Sequence, residues 1–355
     1  MRKIYFLLLV ILSITANSQV SVSKRHTGTA QKIGDKDFEH FYKTTTVFLF
    51  SNVYDTSVYE EVLKQSWTVT PYKIVAIDDF DLSNYLDGFY SFVSIGALKI
   101  DRQKSNNLNV LSLYCFFDVY MFNENEKIKE LVKLSKKSEM KIKNYNVMVE
   151  NKINLARFYL YPKAEFIDKI YKESISYSRT IKALFSESQP KGEGAKALIN
   201  EEMFYNYKPG FLVNYFQKVS QLLKDKQTNW MYAKEAKEEL ADLKTETLYI
   251  PEYLNVKYDP WTLRDSDKTE DEKIKLFSKY NYKFQYITDA EINKKILNTE
   301  KFYYLRYVRT NAERFLQVIN SKTGEIVYSD YITGLSYQLK ADHIEDLSDK
   351  IKKVK

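Results

Sequence analysis

Two sets of acidic residues have types and spacings that could do chemistry. Asp78, Asp79 and Asp81 could supply a carboxylate pair for acid–base work, and Asp289 with Glu291 could repeat it. Each set stands where a strand-like run ends and a helical pattern begins. Thr288-Asp289-Ala290-Glu291 spells a capping box, a hydroxyl for the helix amides and a carboxylate three residues on. Asp78 and Asp81 occupy the matching places of the first set, and acids there favour the positive end of a helix dipole. The expected role of these acids is structural.

Other constellations fail on spacing. The run Asp265 to Glu272 superficially resembles a calcium loop, but Glu270 and Leu276 stand where glycine and a bidentate acid are needed. Gly192-Glu193-Gly194-Ala195-Lys196-Ala197 has a loose phosphate-loop spelling without a preceding strand, so it reads as loop. His26, His40 and His343 are dispersed, which supplies neither a zinc site nor a histidine triad. Cys115 is the single cysteine, lies between aromatics and reads as a small core residue. No cofactor is expected. Trp67, Trp230 and Trp261 remain as candidates for a binding surface, because exposed aromatics can stack on sugar rings. A core role competes with that reading at each.

The elements that must position these residues occur twice. Thr44 to Phe50 and Thr245 to Pro251 open the copies with strand patterns, and helical segments follow near Tyr59 to Lys64 and Asp271 to Phe277. Tyr72 to Leu82 then aligns with Tyr282 to Ile292 without a gap, pairing Tyr72 with Tyr282 and Ile77 with Ile287. Further strands open at Phe89-Tyr90 and Phe302-Tyr303. In the second copy a hairpin follows, turning at Ser321-Lys322-Thr323-Gly324, and a last helix covers about Ala341 to Lys353. The fold class is therefore α/β: two duplicated β-α-β-α-β(ββ)α units with mixed sheets, joined by a helical bridge.

Between the copies, an amphipathic helix is expected over 125–138, a strand over Leu155 to Tyr161 and a loop over 186–194. Two helices are expected in the bridge, one after Pro209-Gly210 and one from Met231 to Leu243. The domain limits are a signal peptide over 1–18, an extension over 19–43, a first repeat over 44–200, a bridge over 201–244 and a second repeat over 245–355.

The chain opens as a secretory leader: basic Arg2-Lys3, an apolar run from Ile4 to Ile14, then small residues before Gln19. The apolar run is too short to span the ~30 Å hydrocarbon core of a bilayer. Cleavage between Ser18 and Gln19, with Gln19 as the mature terminus in open or cyclised form, is the expectation. With 21 Phe and 30 Tyr in 355 residues, a solvated disordered chain is excluded. The net charge of +7 loses two units with the leader and is interspersed. Export and this even charge argue against nucleic acid as partner.

The second copy resembles the amino-terminal domain of TolB and the CsgG-like domains of curli secretion, which end in a hairpin turning at Thr-Gly-Glu before apolar residues. Thr323-Gly324-Glu325-Ile326-Val327-Tyr328 carries that resemblance. It implies an assembly role in the bacterial envelope. The reading is an exported, non-catalytic interaction module, periplasmic or extracellular, whose partner is another envelope protein or a glycan. The competing readings are a hydrolase of envelope polymers with acids at the repeat junction, and a glycan-binding module.

Overall fold

The computed structural model describes residues 19–51, 53–103, 109–123, 128, 150–172, 201–310, 313–334 and 336–355. The leader, most of the expected helix over 125–138, and the segment 186–194 with its phosphate-loop spelling lie outside these residues. The extension holds β1 (Val20–Val22) and α1 (Asp35–Phe41), and the first repeat runs β2 (Thr45–Phe50), α2 (Thr56–Ser66), β3 (Tyr72–Ala76), β4 (Tyr90–Gln103), β5 (Asn109–Phe122), β6 (Lys152–Leu160) and α3 (Ala164–Lys172). The helix α4 (Pro209–Lys224) follows. The second repeat holds β7 (Glu235–Ala236), β8 (Leu248–Pro251), the hairpin β9 (Val256–Asp259) and β10 (Arg264–Asp267), α5 (Glu270–Phe277) and β11 (Phe284–Ile287). It ends with α6 (Asp289–Leu297), β12 (Tyr303–Thr310), β13 (Glu313–Asn320), β14 (Ile326–Ile332) and α7 (Ala341–Lys353).

The two six-stranded sheets repeat one topology. Read from the inner edge, the first runs β3-β2-β4-β5-β6-β1 and the second β11-β8-β12-β13-β14-β7. In each, the second strand is parallel to both neighbours, and all later pairs are antiparallel. This is the α/β architecture with mixed sheets that the repeated patterns imply. Two strands come from outside the expected repeat limits. β1 lies in the extension and β7 in the bridge, and each closes the far edge of its own sheet.

Ladder positions correct the residue alignment in part. Tyr72 lies beside Thr46, and Phe284 beside Leu248, so keeping Tyr72 level with Tyr282 sets Phe48 level with Leu248. That slides the first strand by one residue from the text match. Side-chain direction agrees with the slide, because alternate residues share a face. Phe50 stacks on Tyr59 of α2, with centroids 4.0 Å apart. Phe284, level with Leu248, stacks on Phe277 of α5 at 4.7 Å. The Phe-Tyr openings do not correspond. Tyr90 stands beside Thr45, whereas Tyr303 stands beside Leu248.

Two bridge and crossover elements also differ from expectation. The helix expected over Met231 to Leu243 is instead β7 followed by a 3-10 helix, Glu238–Lys244. Pairing of Tyr328 with Ala236 and Ser329 with Glu235 holds that stretch extended. The helix expected after β3 is two 3-10 turns, Ile77–Asp79 and Leu82–Tyr85.

Helix α4 is the axle between the sheets. Pro209 sits in its first turn, where the missing N–H costs nothing. Phe216 meets Phe48 edge-on at 5.4 Å, on the face of the first sheet that α2 covers. Phe211 meets Tyr304 at 5.8 Å, and the Tyr304 hydroxyl donates to Asn214 at 3.0 Å, on the other side of the helix. Tyr304 is level with Tyr249, one residue out of phase with Leu248 and Ile250, so this face of the second sheet is the one turned away from α5. The duplicated units thus use opposite faces to grip one helix. Among the described residues, no helix is long and apolar enough to cross a membrane.

Candidate functional site

The polar flank of α4 lines a groove of about 1130 Å³ between the repeats. One wall is the end of α2 with Gln65, Ser66 and Thr68; the other is the second sheet's edge from Glu235 to Glu239, with Asn320 and Glu325. Gln217 links the walls, its Nε2 lying 3.5 Å from the Gln65 carbonyl and 3.3 Å from that of Lys322. Ser220 accepts the Thr68 backbone N–H at 3.0 Å.

The Thr323-Gly324-Glu325 turn is seated on the same helix. Gly324 has φ +69°, and a Cβ there would stand 2.5 Å from the Asn214 carbonyl oxygen. Only glycine gives both the left-handed backbone and the close approach. Asn214 Nδ2 donates to the Ser321 carbonyl at 2.7 Å, and Lys218 Nζ lies 3.0 Å from both Glu325 oxygens. Lys237 binds Glu325 as well. Burial opposes ionisation of Glu325, but Lys218 and Lys237 hold its carboxyl below the usual range. Burial also lowers the Lys218 ammonium, against the pull of Glu325. Glu239 accepts from the Tyr303 hydroxyl at 2.9 Å and from Asn320 Nδ2 at 2.5 Å. The groove therefore offers amides, hydroxyls and carboxylates already engaged as acceptors. Such a lining suits hydrogen bonding to a polar partner.

The structure scatters the three tryptophans. Trp67 is only 4% exposed, meets Phe48 edge-on at 5.0 Å and donates its indole N–H to Thr70 at 2.9 Å. It belongs to the core and not to a binding surface, although its neighbours Ser66 and Thr68 line the groove. Trp67 follows the last turn of α2, and a third partner, Phe216, comes from α4. Trp230 is half-buried beside Tyr232, and Trp261 is 78% exposed at the tip between β9 and β10.

The acids behave unequally. Thr288 Oγ1 accepts the Glu291 N–H at 3.1 Å, and Glu291 returns the contact to the Thr288 N–H, completing the capping box. Thr269 and Glu272 make a second box at the start of α5, within the stretch whose calcium spelling failed. Asp78 and Asp81, the acids expected to cap a helix, fall within and beside the 3-10 turns after β3, where no α-helix starts; Asp79 and Asp81 are exposed. Asp289 is the exception: burial raises its carboxyl to about 6, with Lys208 and Lys163 opposing the rise. No group of three metal-ligating side chains stands together among the described residues. His26 bonds Ser21, His40 the Gly88 carbonyl and His343 the Lys340 N–H, at separate places. Cys115 is buried in β5, where burial pushes its thiol up and keeps it protonated.

Sequence reasoning missed Lys218 and Glu325 as partners. A signal existed in Lys218, a charge inside the otherwise apolar period of α4. Comparisons with protein-family models, curated proteins and solved structures each returned no match.

Proposed function

We propose that this chain is an exported bacterial envelope protein that works as a non-catalytic interaction module, using the groove beside α4. The observation that carries this reading is the groove's composition and setting. Both repeats and the shared helix contribute to it, and its half-buried acids Glu325 and Glu239 are engaged by Lys218, Lys237, Tyr303 and Asn320. A hydrolase of polymers needs a carboxylic acid that keeps its proton near neutral pH. In the groove Glu325 is shifted the other way, which favours an acceptor over a proton donor, and Asp289, whose carboxyl is raised, is not among the residues that line it. The leader-like residues 1–18 and the resemblance of Thr323 to Tyr328 to TolB and CsgG-like hairpins support the envelope setting.

Purified protein incubated with isolated cell-wall polymer, followed by assay of soluble fragments, tests the catalytic part. The reading expects no fragments above the level of a Glu325→Gln, Glu239→Gln double variant. Release that this variant abolishes, while its melting transition stays cooperative, would establish the hydrolase instead.

A further inference from the structure

The second sheet carries three buried arginines, and they are not treated alike. Arg306 donates through Nε and Nη2 to Gln317 Oε1, at 3.1 and 2.8 Å. Arg314 donates to the carbonyls of Gln338 and Thr333, each at 2.9 Å. Arg309, near the carboxyl end of β12, is 1% exposed, and none of Nε, Nη1 and Nη2 makes a well-formed hydrogen bond, the Tyr161 and Tyr258 hydroxyls being its polar neighbours and no carboxylate or carbonyl accepting from it. Its guanidinium lies 3.6 Å from the Tyr258 ring centroid and 5.4 Å from that of Tyr161. Ring faces attract a cation but leave its N–H groups unsatisfied. A buried charge without acceptors is costly, and native structures rarely keep one without a use for it.

Further unsatisfied polar atoms lie around Tyr161. The Tyr307 hydroxyl is buried without a partner, and its ring sits 5.7 Å from that of Tyr161. Asp265 gives Oδ2 to the Ala164 N–H at 2.7 Å and to the Tyr205 hydroxyl at 2.9 Å, while its buried Oδ1 accepts nothing. Tyr205 packs on Tyr161 at 4.9 Å. The nearby acid is thus turned to Tyr205 and Ala164 and does not neutralise Arg309. Around an aromatic wall of Tyr161, just after β6, and Tyr258 of β9 stand a set of cationic donors and a hydroxyl from β12 and a carboxylate acceptor from β10.

We propose that this cluster is a binding site for a sugar bearing an oxyanion, carboxylate or phosphate. Arg309 takes the oxyanion, since its planar fork matches either group. Tyr258 backs the guanidinium, Tyr161 supplies a face for the ring, and Asp265 Oδ1 and the Tyr307 hydroxyl take the sugar's hydroxyls. The β9–β10 hairpin bears Tyr258 and Asp265, so it is the element that admits the ligand. The site is separate from the groove, and its fate is independent of the groove's.

Thermal shift and calorimetric titration of the full chain with sodium glucuronate, glucose 6-phosphate and glucose test the proposal at constant ionic strength. Saturable binding of either acidic sugar, at least tenfold tighter than glucose, is expected, and the stronger of the two identifies the oxyanion. Arg309→Gln should weaken that binding at least tenfold and melt no lower than the parent chain, because it removes an uncompensated charge. Absence of saturable binding by both acidic sugars overturns the proposal, as does unchanged affinity in Arg309→Gln. Should that variant not fold, Tyr258→Leu replaces it, and unchanged affinity there has the same force.

Discussion

Asp289 stands alone among the described acids in having its carboxyl raised, to about 6 by burial, at a helix start where acids are ordinarily welcome. Its folded value lies above the ordinary one of 3.8, so the native state holds the proton more tightly. Stability from this group is fully present below the unfolded value and falls as pH rises towards 6, then stays level. Asp289→Asn mimics the protonated form. Near neutral pH it should be more stable than the parent chain by about 1–3 kcal/mol, the gap closing as pH falls to about 4. Urea titrations across that range check it, and equal stabilities at neutral pH would show that the carboxylate is better solvated than its burial indicates. The identity of Thr288 and Glu291 as a cap was legible because a capping box is local, four residues in a row. The burial of Asp289 was not, because the Lys208 and Lys163 charges near it come from another part of the chain.

At the level of elements, the strands announced themselves through β-branched and aromatic runs, and the final helix through Ile344, Leu347 and Ile351, all buried. What stayed hidden were the elements defined by partners. β7 has two residues and no period of its own, so pairing with β14 alone makes it a strand. Trp67 was a candidate for surface or core, with core favoured, and its partner Phe216 comes from α4, far along the chain. The hairpin turn at Gly324 was visible as a turn, but its seat on Asn214 was not. That seat has a measurable consequence. Gly324→Ala faces both a left-handed backbone and a 2.5 Å approach to the Asn214 oxygen, whereas Gly28, at φ +79°, has open space around it. In urea unfolding, Gly28→Ala should cost about 1 kcal/mol, and Gly324→Ala roughly 1–3 kcal/mol more. Equal costs would mean that the turn is not held against α4.

On the scale of the whole molecule, duplication explains the two sheets but not their union. One set of ladders, repeated strand for strand, presents its α2-side face to α4 in the first unit and its α6-side face in the second. Tyrosine-rich packing joins the units across this helix, with Phe158 stacked on Tyr215 at 4.4 Å and Arg306 over the same Tyr215 at 4.0 Å. Gln19, the expected mature terminus, is fully buried: Nε2 donates to the Tyr159 carbonyl at 2.7 Å and Oε1 accepts from Tyr215 at 3.1 Å. Cyclisation would expel that nitrogen, so the open form suits this packing. Because equivalent surfaces of the repeats face different ways, the groove beside α4 is walled by unlike parts of the two units, and it is where we place the proposed partner.

The most direct test is site-specific photo-crosslinking in the cells that make the protein, with the reactive residue placed at Gln221 in the groove or at exposed Lys352 on α7. Intact-mass analysis of the same exported fraction reports the mature terminus. The account predicts a discrete higher-mass adduct from Gln221 that is absent from Lys352, on a chain beginning at Gln19. A chain retained in the cytoplasm with residues 1–18 intact, or an exported chain giving no groove-specific adduct, would contradict it.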